Sequence, residues 1–345
     1  MSATTKRGGR TARGTLPTLA AIDRQIAQLL TIRAKRAAHD AGGCTAAVPA
    51  DAVNAVLHTV AAATQAAVAP VRIAYFGQPT TFSHQAAIVH FGHGNDYTPF
   101  ETISDVFRAV SKGTAQFGVV PIENSNEGAV THTLDMFIDA DVVICAEVLL
   151  DIHHHLMSRQ ALREIRTVYS HPMGLAQCRR WLSTHLGWAR CIETYSTAHA
   201  AEKAACTRGA AAIAGELAAQ ACELKILARC IEDYTQNVTR FLVIGRAPAG
   251  RTRTDKTSLL FSIKDRPGAL YHALKPFKDA GVNMTKIESR PSRLKAWEYY
   301  FFADILGHAD DADVKQALDR LRRQCNFVKV LGSYPAARRR GSTAA

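Results

Sequence analysis

The sequence predicts an α/β protein: a two-lobed unit with a cleft between its lobes, followed by a ferredoxin-like βαββαβ plait and preceded by a short helical segment. Three observations carry this prediction. Up to Ala69, apolar residues recur at helical spacing. From Val71, short apolar runs that read as strands alternate with helical stretches, the pattern of α/β architecture. Beyond the Pro/Gly/Arg-rich linker "GRAPAGRTRTD", strand and helix runs follow in the order β, α, β, β, α, β.

Residues 1–15 read as a disordered basic tail. Within residues 16–70, the spacing of Leu19, Ile22, Ile26, Leu29, Leu30 and Ile32 marks an amphipathic helix from Leu16 to about Ala38. The stretch "AGGCTAAVPAD" breaks it, and "AVNAVLHTVAAATQAAV" forms a second helix that ends before Pro70. Two such short helices bury little alone, so they pack on each other or on another subunit. Residues 71–247 hold strands at "VRIAYF", "QFGVVPI", "DVVICAEVLL", "TVYS" and "AAIAG", with helices from about Ser83 and over "ISDVFRAVSKG". The expected arrangement is a mainly parallel sheet covered by helices. This length exceeds what one small doubly wound sheet needs, hence two lobes, with ligands beyond the carboxyl ends of the strands. Residues 256–335 form the plait, with strands at "KTSLLFSI", "VNMTKIESR", "WEYYFFADIL" and "NFVKVLGSY" and helices at "GALYHALKPFKDAG" and "DADVKQALDRLRRQ". Residues 336–345 are a second basic tail.

At 345 residues, 47% hydrophobic and 21% charged, the chain can build several cores. Its net charge of +12 invites a nucleic-acid reading, but Lys6, Arg7, Arg10, Arg13 and Arg338 to Arg340 lie in the tails. Inside the chain no basic stripe is interleaved with aromatics, so no nucleic-acid partner is expected. Eight cysteines are scattered without a CxxC pair, as in a protein with reduced, buried thiols, and no zinc spacing appears. No run reaches the ~18–20 apolar residues of a membrane span, and the Arg-rich start lacks an apolar h-region. A cytoplasmic protein without a membrane partner is expected.

Four strand ends gather polar side chains. "FGQPTTFSHQAA" opens a helix with Thr80, Thr81 and Ser83, whose hydroxyls and free N–H groups suit an anion or serve as an N-cap. "VVPIENSNEGAVTHTLD" ends a strand in Glu123, Asn124, Ser125 and Asn126, "VYSHPMGLAQC" brings Ser170, His171 and Gln177, and "NVTRF" opens the last strand with Asn237, Thr239 and Arg240. Each reads equally as turn chemistry; together, in one α/β unit, they can converge on one cleft. Hydroxyls and amides dominate, with no Ser-His-Asp pattern and no glycine-rich nucleotide loop. In "HHH" at 153–155, alternation on a strand lets at most His153 and His155 share an ion, and no metal is expected.

The motifs "PIENSNEGAV", "SHPMGLAQC", "YSTAHAA" and "NVTRFLVIG" occur in the order and spacing of one family: the segment from Val71 to Arg246 resembles prephenate dehydratases. The plait, with "GALYHAL" and "IESRP", resembles an ACT domain of the phenylalanine-sensing type. The resemblance implies conversion of prephenate to phenylpyruvate, carbon dioxide and water, without a cofactor. It implies that Thr239 is the essential hydroxyl, that Glu123, Asn124, Ser170 and Gln177 are catalytic, and that Thr81, Ser83, Asn237, Arg240 and Phe241 bind substrate. It implies feedback regulation by L-phenylalanine held by Gly268, Ala269, Leu270, Asn283, Glu288, Ser289, Arg290 and Pro291, in a homodimer or homotetramer. An arogenate dehydratase and a non-catalytic small-anion or amino-acid sensor are the alternatives.

Two departures stand out. The family's first motif usually has glycine where this chain has Thr80. A β-branched residue at positive φ is strained, so either the turn takes another conformation or Thr80 contributes its hydroxyl. The segment "LAAIDRQIAQLLTIRAKRAA" resembles the first helix of a chorismate mutase, and "ADAVNAVLHTVAAATQAAV" its last, but the middle is missing. Arg33 alone is left of the expected cationic set, which implies an inactive module used for association; the alternative is residual mutase activity with a partner subunit completing the pocket.

Overall fold

The structure is a computed structural model. It describes residues 18–40, 67–234, 236–291 and 299–337, with scattered positions between 48 and 64. The tail expected at 1–15, residues 338–345 of the tail expected at 336–345, and most of the break after residue 40 lie outside the described residues. Ala336 and Ala337 are described and tied down, their N–H groups donating to Thr254 O and to Glu147 Oε1, each at 2.9 Å. The chain divides into two compact units, Met1–Ala69 and Pro70–Ala345. In the first, the expected amphipathic helix runs over Leu19–Asp40, and the described positions between 52 and 68 are also helical. No residue of Leu19–Asp40 is buried, and Leu19, Leu29 and Ile32 stand largely exposed.

In the second unit, the first lobe holds β1 (Arg72–Phe76), β2 (Asp96–Phe100), β3 (Phe117–Asn124), β4 (Gly128–Ala129), β5 (Val143–Asp151) and β11 (Val238–Gly245). The sheet order is β2-β1-β3-β11-β5, with β4 beside β3. The second lobe holds β6 (His155–Ser158), β7 (Thr167–Ser170), β8 (Arg190–Glu193), β9 (Ala210–Ala214) and β10 (Lys225–Ala228), in the order β10-β6-β9-β7-β8. Two lobes are present as expected, but both sheets are mixed where the alternation suggested mainly parallel ones. The chain leaves the first lobe after β5 and returns from the second as β11, which inserts antiparallel between β3 and β5. Likewise β6 is antiparallel to β9 and β10. The sequence reading passed over β2, β8 and β10, which sit at sheet edges, where polar residues and Pro99 interrupt the apolar run.

The helix Ile103–Ser111 shows how this lobe is assembled. Thr102 caps it by accepting from Asp105 N, and Ile103, Val106, Phe107 and Val110 form one buried stripe at helical spacing. Gly118 on β3 lets that stripe approach, because a Cβ there would stand 2.8 Å from Val106 Cγ1 and 2.9 Å from Ile244 Cγ1.

The plait has the expected order: β12 (Asp255–Ile263), the helix Ala269–Asp279, β13 (Met284–Pro291), β14 (Tyr299–Leu306), the helix Ala312–Gln324 and β15 (Cys325–Pro335). Its sheet runs β13-β14-β12-β15 with every neighbouring pair antiparallel. Along β12 the period-two alternation is plain. Leu259 and Phe261 pack under the plait's helices, whereas Leu260 on the other face joins Ile122, Leu134, Phe137 and Ile144 of the first lobe in one core. The approach is close enough to require Gly332, where a Cβ would lie 2.3 Å from Ile144 O.

Within this contact is a buried ionic network centred on Arg240 of β11. Its Nε donates to Glu147 Oε2 at 2.6 Å, Nη1 to Asp304 Oδ2 at 2.5 Å and Nη2 to Tyr334 Oη at 3.0 Å. Lys256 Nζ donates to both Glu147 oxygens at 2.7 and 2.9 Å, and Ser258 Oγ to Asp304 Oδ1 at 2.5 Å. Burial works against the charge on Arg240, but Asp304, Tyr334 and Glu147 outweigh it and raise its pKa, so the guanidinium stays a cation. Removing one member of such a group leaves its partners buried and uncompensated. Arg240→Leu is therefore expected to destabilise the protein by about 3–5 kcal/mol in denaturant unfolding; a loss below about 1 kcal/mol would show that the network does not bind the plait to the lobe.

Candidate active site

The chain passes between the lobes twice, from β5 to β6 and from β10 to β11. Around these crossings lies a cleft of about 410 Å³, lined from one side by Thr81, Ser83, Asn124, Glu127, Thr239 and Phe241 and from the other by His154, His171, Gln177, Tyr195 and Thr197. That is the size range of a small-molecule site.

The two strand ends that meet here are held side by side in the β3–β11 pair, where Thr239 faces Asn124 and Arg240 faces Glu123. Asn124 is pinned by a local turn: its Oδ1 accepts from Asn126 N at 2.9 Å and Glu127 N at 3.1 Å. This orients the amide. Its Nδ2 donates to Thr239 Oγ1 at 2.7 Å and to Asn237 Oδ1 at 2.8 Å. Thr239 Oγ1 is thus an acceptor towards the protein, and among the described residues nothing takes its own proton. Asn237 Nδ2 donates in turn to Gln177 Oε1 at 3.0 Å, and His154 Nε2 lies 2.9 Å from the same oxygen. Since that oxygen is an acceptor, His154 carries its proton on Nε2, and its buried Nδ1 has no partner among the described residues. Burial lowers the His154 pKa, more than Gln177 and Glu232 raise it, so the ring is neutral near pH 7.

The lobes also meet through Gln177 Nε2, 3.4 Å from Glu127 Oε1, and Gln78 Nε2, which donates to Tyr195 Oη at 3.0 Å. Two helices start at the cleft from opposite sides, Phe82–Phe91 and Thr197–Cys206. Their first turns present N–H groups without intrahelical acceptors. Among the described residues lining the cleft none is Lys or Arg.

This geometry coincides with a family match: the prephenate dehydratase profile covers residues 73–249, and the ACT domain profile covers residues 257–323. The chain belongs to the prephenate dehydratase family. It is 50% identical over 268 residues to a bifunctional chorismate mutase/prephenate dehydratase of Aquifex aeolicus, spanning 77% of this chain and 74% of that one. A solved prephenate dehydratase of Arthrobacter aurescens in complex with L-Phe superposes with a TM-score of 0.71 and 34% identity, over 76% of this chain and 90% of that one. A structure described as a quorum-quenching acylase, GqqA, superposes with a TM-score of 0.71 and 32% identity, over 77% of this chain and 98% of that one.

For a prephenate dehydratase cleft, the structure gathers Thr239, Asn124, Gln177, Asn237, Thr81, Ser83 and Phe241 on one cavity. Three residues expected there lie elsewhere. Arg240 and Glu123 sit one position along from Thr239 and Asn124, so strand alternation turns them to the opposite face, towards the plait. Ser170 is fully buried beneath the helix Pro172–Gln177, donating to Ile213 O at 2.8 Å; a Cβ on Gly174 would stand 2.5 Å from its oxygen. The sequence reading missed His154, Glu127, Tyr195 and Thr197. Alternation through "HHH" was the available signal for the first, since it sends the middle histidine away from its neighbours. On the other face, His153 Nδ1 is 2.8 Å from Glu232 Oε1, and His155 Nδ1 accepts from Cys230 N at 3.0 Å. His153, Glu232 and Cys230 could together reach one ion, their ligand atoms lying within 4.8 Å of one another, but none of the three lines the cleft.

In the plait, β12 and β13 are both antiparallel to β14 and hence parallel to each other. Their ends at Ile263 and Pro291 therefore share one end of the sheet, which places Gly268 to Leu270 and Glu288 to Pro291 at that same end. Asn283 precedes β13 at the other end, its carbonyl accepting from Leu306 N at 2.9 Å.

The turn before Phe82 corrects one expectation: Thr80 does not take another conformation but holds φ at 69°. Its N–H donates to His84 Nδ1 at 3.1 Å, which helps to hold the turn. A β-branched residue in the left-handed region costs ~1–2 kcal/mol, partly offset in any glycine replacement by backbone entropy. Thr80→Gly is expected to stabilise the protein by roughly 0.5–1 kcal/mol in the same unfolding assay, with destabilisation counting against strain at this turn.

Proposed function

We propose that the cleft binds prephenate and that Thr239 and Asn124 catalyse its decarboxylative dehydration. The observation that carries this reading is the Thr239 hydroxyl, whose oxygen accepts from Asn124 Nδ2 at 2.7 Å and whose own proton is left for the cavity. In the reaction the ring carboxylate departs as carbon dioxide, its bonding electrons enter the ring, and the ring C–O bond breaks. Hydroxide leaves and takes a proton from solvent to become water. Aromatisation drives the step, so the protein has to orient the dianion and stabilise the departing oxygen. Thr239 donates a hydrogen bond to that oxygen without giving up its proton; Asn124 aims it, and Asn237 and Gln177 hold Asn124. The helix starts at Ser83 and Thr197 receive the carboxylates by neutral N–H and O–H donation.

L-Phenylalanine is the effector in this reading, bound at the plait end that carries Gly268 and Glu288 to Pro291; the L-Phe complex of the Arthrobacter relative supports it. The edge strand β13, with Ile287 exposed, suits side-by-side pairing of two plaits, and we place the protein in at least a homodimer. The seven described cysteines are all free, which suits a reducing cytoplasm.

Purified protein is expected to form phenylpyruvate from prephenate, and millimolar phenylalanine to suppress it. Thr239→Ala should lower turnover by about 10²-fold or more, as for loss of one donor to developing negative charge, while Thr239→Ser keeps most of it. Absence of phenylpyruvate from prephenate, together with no phenylalanine from arogenate, would overturn the dehydratase reading of the cleft.

A further inference from the structure

The motifs that supply the cleft also supply its connection to the plait. On β3 and β11 the pair Asn124 and Thr239 faces the cleft, and the very next pair, Glu123 and Arg240, faces the plait. Arg240 is held through each of its three nitrogens, by Glu147, Asp304 and Tyr334. Glu123 is held less firmly. Its Oε2 stands 2.6 Å from Lys286 Nζ and 4.0 Å from Arg240 Nη1, and its side chain is 38% exposed. Lys286 is the more constrained partner, its buried Nζ making an ion pair with Glu123 without a well-aligned hydrogen bond to any described residue. Beside it lies a void of about 20 Å³, lined mostly by apolar side chains such as Ile122, Leu134, Phe302 and Leu331, with Arg240, Lys286 and Asp304 also on its wall. The β3–β11 register slips between Arg240 and Phe241, leaving Ile122 as the extra residue next to Glu123, a bulge of the kind that re-aims neighbouring side chains.

Lys286 lies on β13, two residues before Glu288 and on the same face, and Arg290 of that strand reaches Asp135 at 3.4 Å on the first lobe. A ligand that moves the Glu288–Pro291 end of β13 therefore moves Lys286. Resting on the reading of that end as the phenylalanine site, we infer that the Glu123–Lys286 pair transmits effector binding to the cleft: Glu123 acts as a positioning residue for Asn124 and through it for Thr239, while Arg240 is the fixed clamp about which the pair rearranges. An effector must bind two states with different affinity. The weakly satisfied pair is the element able to take two arrangements, whereas Arg240 is fixed by directed hydrogen bonds from all three of its nitrogens.

The test is a double-mutant cycle on the full chain with Lys286→Met, Glu123→Gln and both, and Lys286→Arg as the conservative variant. Phenylalanine binding is read by calorimetry, and kcat and KM for prephenate with and without phenylalanine. Lys286→Met is expected to bind phenylalanine within about threefold of the parent and to keep its kcat in the absence of effector. The parent's response, of the usual 5–150-fold size for coupled sites, should fall towards one. The double variant should lose no more than either single, and Lys286→Arg should restore the response. A fully retained response in Lys286→Met, or losses that add in the double variant, would overturn the inference alone. A parent that neither binds nor responds to phenylalanine would overturn the effector reading and this inference with it.

Discussion

Arg240 is the residue on which the rest of the second unit depends. It sits near the start of the strand that returns from the second lobe, and its guanidinium joins β11 and β5 of the first lobe to β14 and β15 of the plait. A cation so deeply buried is tolerable only because two carboxylates and a phenol surround it with directed hydrogen bonds, and Glu147 is itself shared with Lys256. The clamp fixes β11 in its place between β3 and β5, and with it the strand end that carries Thr239. The apolar core shared by the plait and the first lobe adds area to this contact, but directed charge pairs set its register.

A cleft without lysine or arginine among its described lining is, in the proposed reading, an unusual host for a dianion. It becomes intelligible when the reaction is considered alongside the donors. Cationic clamps would hold the substrate's ring carboxylate, the group that must leave as carbon dioxide, more tightly than the transition state. In the proposed reading, amides and a hydroxyl fixed by Asn124's own turn and by the Asn237–Gln177–His154 chain, with two helix N-termini beside them, offer weaker but preorganised donation. The neutral His154 fits the same pattern, since a charged imidazole on this wall would be costly to bury.

Much of the fold was legible because strong periodic segments leave little freedom: "QFGVVPI", the Ile103–Ser111 stripe and the order of the plait all formed as their spacing predicts. What failed was sheet direction and the edge strands. Strand order depends on where the chain crosses between lobes, and nothing in the local spacing of β11 marks it as a returning strand. For the site, polar strand ends pointed to Thr239, Asn124, Asn237 and Gln177, which meet in the cleft. Treating "ENS" and "TRF" as blocks obscured the alternation that separates Glu123 from Asn124 and Arg240 from Thr239. Ser170 was lost to burial, which no local pattern reveals.

The amino-acid sequence by itself determined most of the element types, the division into an α/β unit and a plait, and part of the polar lining of the cleft, Thr239, Asn124, Asn237 and Gln177 among it. It did so because apolar period and turn residues are local properties of the chain. Only the tertiary structure decided which face of β3 and β11 becomes the cleft and which becomes the plait contact. Both faces of those strands are covered, so each offers burial to polar and charged side chains. The choice rests on partners far away in sequence, Glu147 and Asp304 for Arg240 and Lys286 for Glu123.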